Sequence, residues 1–271
     1  MTISGGIKFF DKSKCLLKDG AAIAASSGDA SADYALSMNR YLRWDSVGSN
    51  DTTAETLVIT FPSATIDRIL LVDHNLKDFS ITYGAGASAF SGVVGINGAG
   101  SGIIETAFAQ DTAYYEFTPV TTTRINITAT KTQMANAQKY ITLIAATAEI
   151  GTLEGYPTVT PTIIANEKRA QTLGGKYITQ KNYEIFGAKL AFEYTSQNDV
   201  NILNTLFETQ APFLIWLCGG KYSTDNFSVD LKNWRLKDLY QVQTYGQISN
   251  TFRKGIYSSS PITAITVGEE V

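Results

Sequence analysis

Along residues 41–84, apolar and polar positions alternate with a period of two. Leu57, Ile59 and Phe61 share one face, and Val58 and Thr60 share the other. Phe79, Ile81 and Tyr83 alternate with Ser80 and Thr82 in the same way. A period of two marks a strand with one buried face. Gly48-Ser49-Asn50-Asp51 and Phe61-Pro62-Ser63 interrupt the pattern with turn chemistry. The stretch therefore predicts strand, turn, strand, turn, strand.

Strand signals also dominate the chain beyond Gly84. Gly84–Gly102 holds seven glycines and no charge, and reads as a pair of short strands or a long ordered loop. Tyr114–Phe117, Thr123–Thr128 and Tyr140–Ile144 are rich in threonine, tyrosine and isoleucine, as strands are. Short strands separated by turns predict an all-β sandwich. Tyr156-Pro157 and Thr160-Pro161 then place two prolines within five residues, which biases the chain to extended linker backbone. The expected organisation is a sandwich over 1–153, a linker over 154–165, and a smaller β-rich domain over 166–271. That second domain carries the clearest helix, near 197–208. Ser196 is a suitable N-cap with Asp199 three residues on, and Val200, Leu203, Leu206 and Phe207 form one apolar face. Phe213–Cys218 reads as a strand buried on both faces, with Cys218 as a small hydrophobe.

Composition narrows the classes of function. A net charge of −3, from 22 basic and 25 acidic residues without runs of one sign, argues against a nucleic-acid partner. A charged fraction of 17% suits surfaces that become buried in an assembly. Cys15 and Cys218 have no zinc spacing. Apolar runs reach about six residues, far below the roughly 20 that span a bilayer, so no membrane partner is expected. The N-terminus lacks an apolar signal region, which predicts a protein made and kept in a cytoplasm unless an assembly carries it out.

Candidate chemistry is sparse. His74 is the sole histidine, and Asp73-His74-Asn75 reads as a strand-end turn, so it is expected to be structural. Gly84-Ala85-Gly86 follows a strand but opens no helical face, so it is not a nucleotide loop. Asp45, Asn50 and Asp51 offer oxygen ligands for calcium, but EF-hand spacing is absent and an Asx-bearing turn is the default. No enzyme and no cofactor is expected.

One ordered set of motifs invites comparison. Ala30–Met38 leads to Arg43-Trp44-Asp45-Ser46, then Leu57–Phe61, Arg68–Leu71, His74–Lys77 and Phe79–Tyr83. Tyr115-Glu116-Phe117, Arg124–Ile127 and Glu149-Ile150-Gly151 complete it. Residues 10–153 in this order resemble the discoidin, or F5/8 type C, family of galactose-binding-like β-sandwiches. Phe213–Trp216 with Gly219-Gly220, Trp234–Tyr240 and Thr251–Tyr257 make the second half resemble companion domains of tailed-bacteriophage tail proteins. The resemblance implies a non-enzymatic structural component of a virion tail, at its tip, baseplate or collar. Its partners would be further copies of itself and neighbouring tail proteins. The alternative it implies is a carbohydrate-binding module for attachment to a host surface. The matching loops lie near Trp44, Asp45, Asn50 and Asp51, and near 84–102. Those four residues are the expected contact surface.

Overall fold

The computed structural model describes residues 7–39, 41–48, 50–95, 98–100, 102–153, 158–171, 177–191, 196–209, 211–216, 230–231, 234–235, 239–245, 250–253, 256–259 and 262–266. The first part of the chain forms β1 (Ile7–Asp11), β2 (Ala22–Ala25), β3 (Trp44–Asp45), β4 (Glu55–His74), β5 (Leu76–Tyr83) and β6 (Val93–Gly95). It continues with β7 (Gly98–Gly100), β8 (Ile103–Glu105), β9 (Thr112–Thr132), β10 (Tyr140–Thr147) and β11 (Glu149–Leu153). The remainder holds β12 (Thr158–Gln171), β13 (Tyr177–Ala191), α1 (Gln197–Thr209), β14 (Phe213–Trp216), β15 (Asp230–Leu231) and β16 (Trp234–Arg235). β17 (Leu239–Tyr245), β18 (Asn250–Arg253), β19 (Ile256–Ser259) and β20 (Ile262–Thr266) complete it. The protein is mainly β, with antiparallel sheets.

A single nine-stranded sheet folds back on itself to make a sandwich. Its long strands β4 and β9 pair along almost their whole length. The register slips twice, between Thr60 and Ala64 and between Ile66 and Arg68. The expected turn at Phe61-Pro62-Ser63 is therefore a bulge inside one strand. Three residues there stand opposite Thr123 alone, so Pro62 needs no ladder hydrogen bond. Pro119 occupies the second slip, on the other strand. The bulges bend both strands, and each contributes to both layers. Leu57, Ile59, Ile125 and Ile127 from one layer meet Ile69, Leu71, Ala113, Tyr115 and Phe117 from the other in one core. The alternation along Leu57–Phe61 and Phe79–Ile81 selects this buried face. Phe90 and Val93 are buried in the same core, which ties the glycine-rich stretch to it.

The second sheet has seven strands in the order β11-β1-β14-β17-β20-β13-β12. Its strand pairing departs from the expected division after residue 153. β1 lies between β11 and β14, so the chain leaves this sheet after β1 for the sandwich and returns at β11. The reason is apolar content. Phe9 and Phe10 are buried against β14, where Phe9 meets Phe213 with centroids 5.9 Å apart. The stretch expected as a linker over 154–165 joins β12 from Thr158 onward. β12 ends the sheet order, and an edge strand is where Pro161 can be accommodated.

The two sheets also share apolar contacts. Phe10, Leu214 and Trp216 pack on Leu70, Val72, Tyr114, Leu143 and Ala145, the outward side of the sandwich. Burying each large side chain contributes roughly 1.5–3 kcal/mol. The expected helix is α1, and its capping box is formed. Ser196 Oγ accepts from Asp199 N at 3.1 Å, and Asp199 Oδ2 accepts from Ser196 N at 2.8 Å. Val200, Leu203 and Leu206 are buried. The helix closes on β11 at Gly151, where a Cβ would lie 2.6 Å from Ile202 Cδ1. Cys218, Gly219-Gly220 and the side chain of Phe207 lie outside the described residues.

Candidate functional site

Strand alternation builds the most distinctive surface of the sandwich. β3 pairs with β10 through Trp44 opposite Ile141 and Asp45 opposite Tyr140. Trp44 therefore points inward while Arg43 and Asp45 point outward. Arg43 Nε donates to Asp45 Oδ2 at 3.0 Å, and the guanidinium carbon lies 4.2 Å from the Tyr140 ring centroid. Beside this pair opens a groove of about 460 Å³, lined by Arg43 and Asp45 together with Tyr34, Tyr41 and Leu42. Tyr41 is 80% exposed and Tyr34 40% exposed.

Asp73 and Thr142 also line the groove. Leu71 and His74 both face the sandwich core, whereas Val72 faces the second sheet. Simple alternation would put Val72 and His74 on one side. The phase resets at Asp73, whose φ of 52° lies in the left-handed region. Thr142 Oγ1 donates to Asp73 Oδ2 at 3.1 Å.

The four expected contact residues separate. Trp44 is fully buried, and its Nε1 donates to Ser27 O at 3.0 Å. It belongs to the core, because an indole with one polar atom can be buried once that atom is satisfied. Gly28, at φ 65°, makes room for the Asp45 carbonyl, since a Cβ there would fall 2.0 Å from Asp45 O and 3.1 Å from Trp44 Nε1. Asp45 does line the groove. Asn50 and Asp51 serve a turn. Asn50 Oδ1 accepts from Thr52 N at 2.8 Å, and Asp51 Oδ1 accepts from Thr132 N at 3.1 Å. Backbone N–H groups near Asn136 and Thr132 hold the Asp51 carboxyl below its usual range.

A buried lysine speaks against calcium at that turn. Lys139 Nζ donates to Asn50 O at 2.8 Å and to Thr53 O at 3.0 Å. An ammonium already occupies the carbonyls that a cation would use. Among the described residues, no group of three or more His, Cys, Asp or Glu could hold a metal ion.

His74 is a core residue, as expected. Its ring stacks on Phe108 with centroids 5.3 Å apart, and its Nδ1 accepts from Leu76 N at 3.1 Å. Burial lowers its pKa to about 3, against a smaller opposing influence of Asp111. The imidazole is neutral near pH 7. Cys15 is also buried, and burial raises its thiol.

A further set of charges lies in the seam between the sheets. Lys8, only 2% exposed, reaches Glu116 Oε1 at 3.3 Å and Thr152 Oγ1 at 3.1 Å. Arg68 Nε donates to Tyr114 Oη at 3.0 Å, and its Nη2 pairs with Glu149. Tyr114 Oη in turn donates to Glu116 Oε1 at 2.8 Å. Burial would raise the Glu149 carboxyl, but the Thr152 hydroxyl and the Arg68 and Lys8 charges hold it below its usual range. Burial pushes the Tyr114 phenol well up, so it stays a donor. The donors and acceptors here satisfy one another, which suits a fastening between sheets.

Of the expected contact residues, Asp45 lines this groove and Trp44 lies on the opposite, core-facing side of the same strand. The sequence carries a signal for the outward side: if Trp44 faces the core, Arg43 and Asp45 cannot. Asp73 and Thr142 had no such signal, because their approach depends on β4 pairing with β10.

No family model matches the chain, and no curated protein matches it. Among solved structures, chitosan-binding module 1 of a chitosanase/glucanase from Paenibacillus sp. IK-5 is 14% identical, covers 51% of this chain and 98% of its own, with a TM-score of 0.39. Chitosan-binding module 2 from the same enzyme, in complex with chitotriose, is 19% identical, covers 49% and 97%, and scores 0.37. A family 32 carbohydrate-binding module of Clostridium perfringens NanJ, in complex with galactose, is 15% identical, covers 52% and 98%, and scores 0.38. None of the three is described as a virion protein. In the described residues, no helix is long and apolar enough to cross a membrane.

Proposed function

We propose that this chain is a non-catalytic carbohydrate-binding module and that the groove beside Tyr41 is its glycan site. The observation that carries the reading is the joining of exposed aromatic rings to fixed polar groups. Tyr41 and Tyr34 offer faces on which the C–H surface of a sugar can stack. Arg43, Asp45, Asp73 and Thr142 offer donors and acceptors for hydroxyls. A volume of about 460 Å³ falls within the span of small-molecule sites, roughly 300–1,000 Å³. Binding to such a surface needs no chemistry, and His74 is sealed in the core.

The test is direct. Tyr41→Ala removes a ring that is 80% exposed, so thermal stability should hold while glycan affinity falls about tenfold in calorimetric titration. A wild-type protein that binds nothing on a broad glycan array would remove the proposal.

A second reading is a homo-oligomeric structural subunit, and the edge of the seven-stranded sheet bears on its self-association and not on a virion. β12 ends the strand order, and 14 residues of edge backbone can accept a neighbouring copy. Sedimentation velocity should then show self-association that grows with concentration. A single monomeric boundary at every concentration would overturn this reading and leave the glycan site standing.

A further inference from the structure

Resting on the glycan reading, we infer that the Arg43–Asp45 pair is the specificity determinant of the groove, and that it selects neutral sugar rings bearing two adjacent free hydroxyls. Both residues line the groove. Asp45 engages the guanidinium through Nε, at 3.0 Å to Oδ2. A guanidinium carries five N–H donors in a rigid fork, so Nη1 and Nη2 keep theirs for other acceptors. Asp45 Oδ1 remains an acceptor beside them among the described residues. A sugar hydroxyl both donates and accepts, and two adjacent hydroxyls match a fork that has an acceptor next to it. The carboxylate balances the guanidinium charge at this distance, so the pair offers directed hydrogen bonds and not an unopposed charge.

The fold holds the pair in place. Arg43 and Asp45 flank the fully buried Trp44, so the backbone between them is anchored in the core. Tyr140 stands opposite Asp45 in the β3–β10 ladder, and its ring centroid lies 4.2 Å from the guanidinium carbon. The ring sets the plane of the fork, and the Nε contact sets its rotation within that plane. Tyr140 is therefore a positioning residue for the Nη donors. An arginine ordered in advance loses less rotamer freedom on binding than a mobile one. Both side chains of the pair are partly exposed, where an ion pair contributes little to stability. Substitutions here should act on binding with little effect on melting.

Calorimetric titration with cellohexaose, mannohexaose and laminarihexaose tests the inference. The inner rings of the first two each carry two adjacent hydroxyls, and those of laminarihexaose carry none. Wild type should bind at least one of the first two about tenfold more tightly than laminarihexaose. Arg43→Lys keeps the charge but loses the fork, so the preference should fall to about twofold or less with the melting temperature held. Tyr140→Leu should weaken binding of the preferred hexaose about threefold to fivefold, and Tyr140→Phe, which keeps the ring, should restore most of it. Wild type that binds laminarihexaose as well as the others, or none of the three while binding another glycan on the array, would overturn the inference and leave the glycan reading intact. So would an unchanged preference in Arg43→Lys. An Arg43→Lys protein whose melting temperature falls in step with its affinity would make the pair structural and overturn the inference as well. If wild type binds no glycan at all, the glycan reading fails and takes this inference with it.

Discussion

Trp44→Ala is expected to cost about 3–5 kcal/mol of stability, the span for removing a large buried aromatic. Trp44 is fully buried, and its Nε1 is satisfied by Ser27 O. The indole Nε1 also lies beside Gly28, where a Cβ would come within 3.1 Å of it. For a chain of this size each kcal/mol lowers the melting temperature by roughly 2–4 °C, so the fall should be of order 10 °C. Differential scanning calorimetry reads it. Trp44→Phe should recover part of the loss, because it restores apolar volume without the Nε1 donor. The contrast with Tyr41→Ala is the point of the measurement. Two aromatics three residues apart should divide cleanly, one affecting stability and the other affecting binding. A Trp44→Ala protein with wild-type melting and lost glycan affinity would return Trp44 to the surface.

Arg68→Met should cost roughly 1–3 kcal/mol, because it leaves the partly buried carboxylates of Glu149 and Asp67 without their nearest cation. Arg68 pairs with Glu149, lies 3.5 Å from Asp67 and 3.9 Å from Glu116, and donates to Tyr114 Oη. Glu149 belongs to the seven-stranded sheet, whereas Arg68, Tyr114 and Glu116 belong to the sandwich. The loss should therefore loosen the seam and appear as earlier denaturant unfolding. Adding Glu149→Gln to Arg68→Met should recover part of it, since one unpaired charge is then gone. Strict additivity of the two substitutions would show that the pair is not coupled.

The same variant has a pH signature. Glu149 titrates lower in the folded protein than when unfolded, so its contribution is present above the unfolded value of about 4.5. That contribution is lost as pH falls toward the folded value. Removing Arg68 should flatten this acid limb. Asp67 works the other way, because burial raises its carboxyl. His74 adds a slope common to both proteins. Its neutral folded form makes stability fall as pH drops from about 6.5 toward 3, where only the unfolded state takes up the proton. The difference between variant and wild type, not either curve alone, isolates the arginine.

Legibility in the sequence followed the range of the interactions. α1 was readable because its cap and its apolar face lie within a few residues of each other, and Ser196, Asp199, Val200 and Leu203 act as their types suggest. Strand faces were readable for the same reason. Phe61-Pro62-Ser63 misled because a turn and a bulge use similar residues. Which one forms depends on whether β9 continues to pair on either side. Proline near 157–161 misled in the same way, since an edge strand can tolerate it and a sequence does not show where the edge is.

The opening alternation determined, by itself, that Leu57, Ile59 and Phe61, and likewise Phe79 and Ile81, share a buried face, because a period of two is a property of the local backbone. It also carried, unread, the consequence that Arg43 and Asp45 face away from Trp44. Only the tertiary structure decided the rest. It placed β1 beside β11 and β14 across most of the chain, and it fastened two sheets with Lys8, Arg68, Glu116 and Glu149. It also brought Asp73 and Thr142 into the lining of a groove shared with Tyr41. Those contacts join residues separated by about 70 to 200 positions, and their partners are chosen by the burial of whole sheets and not by neighbouring residues.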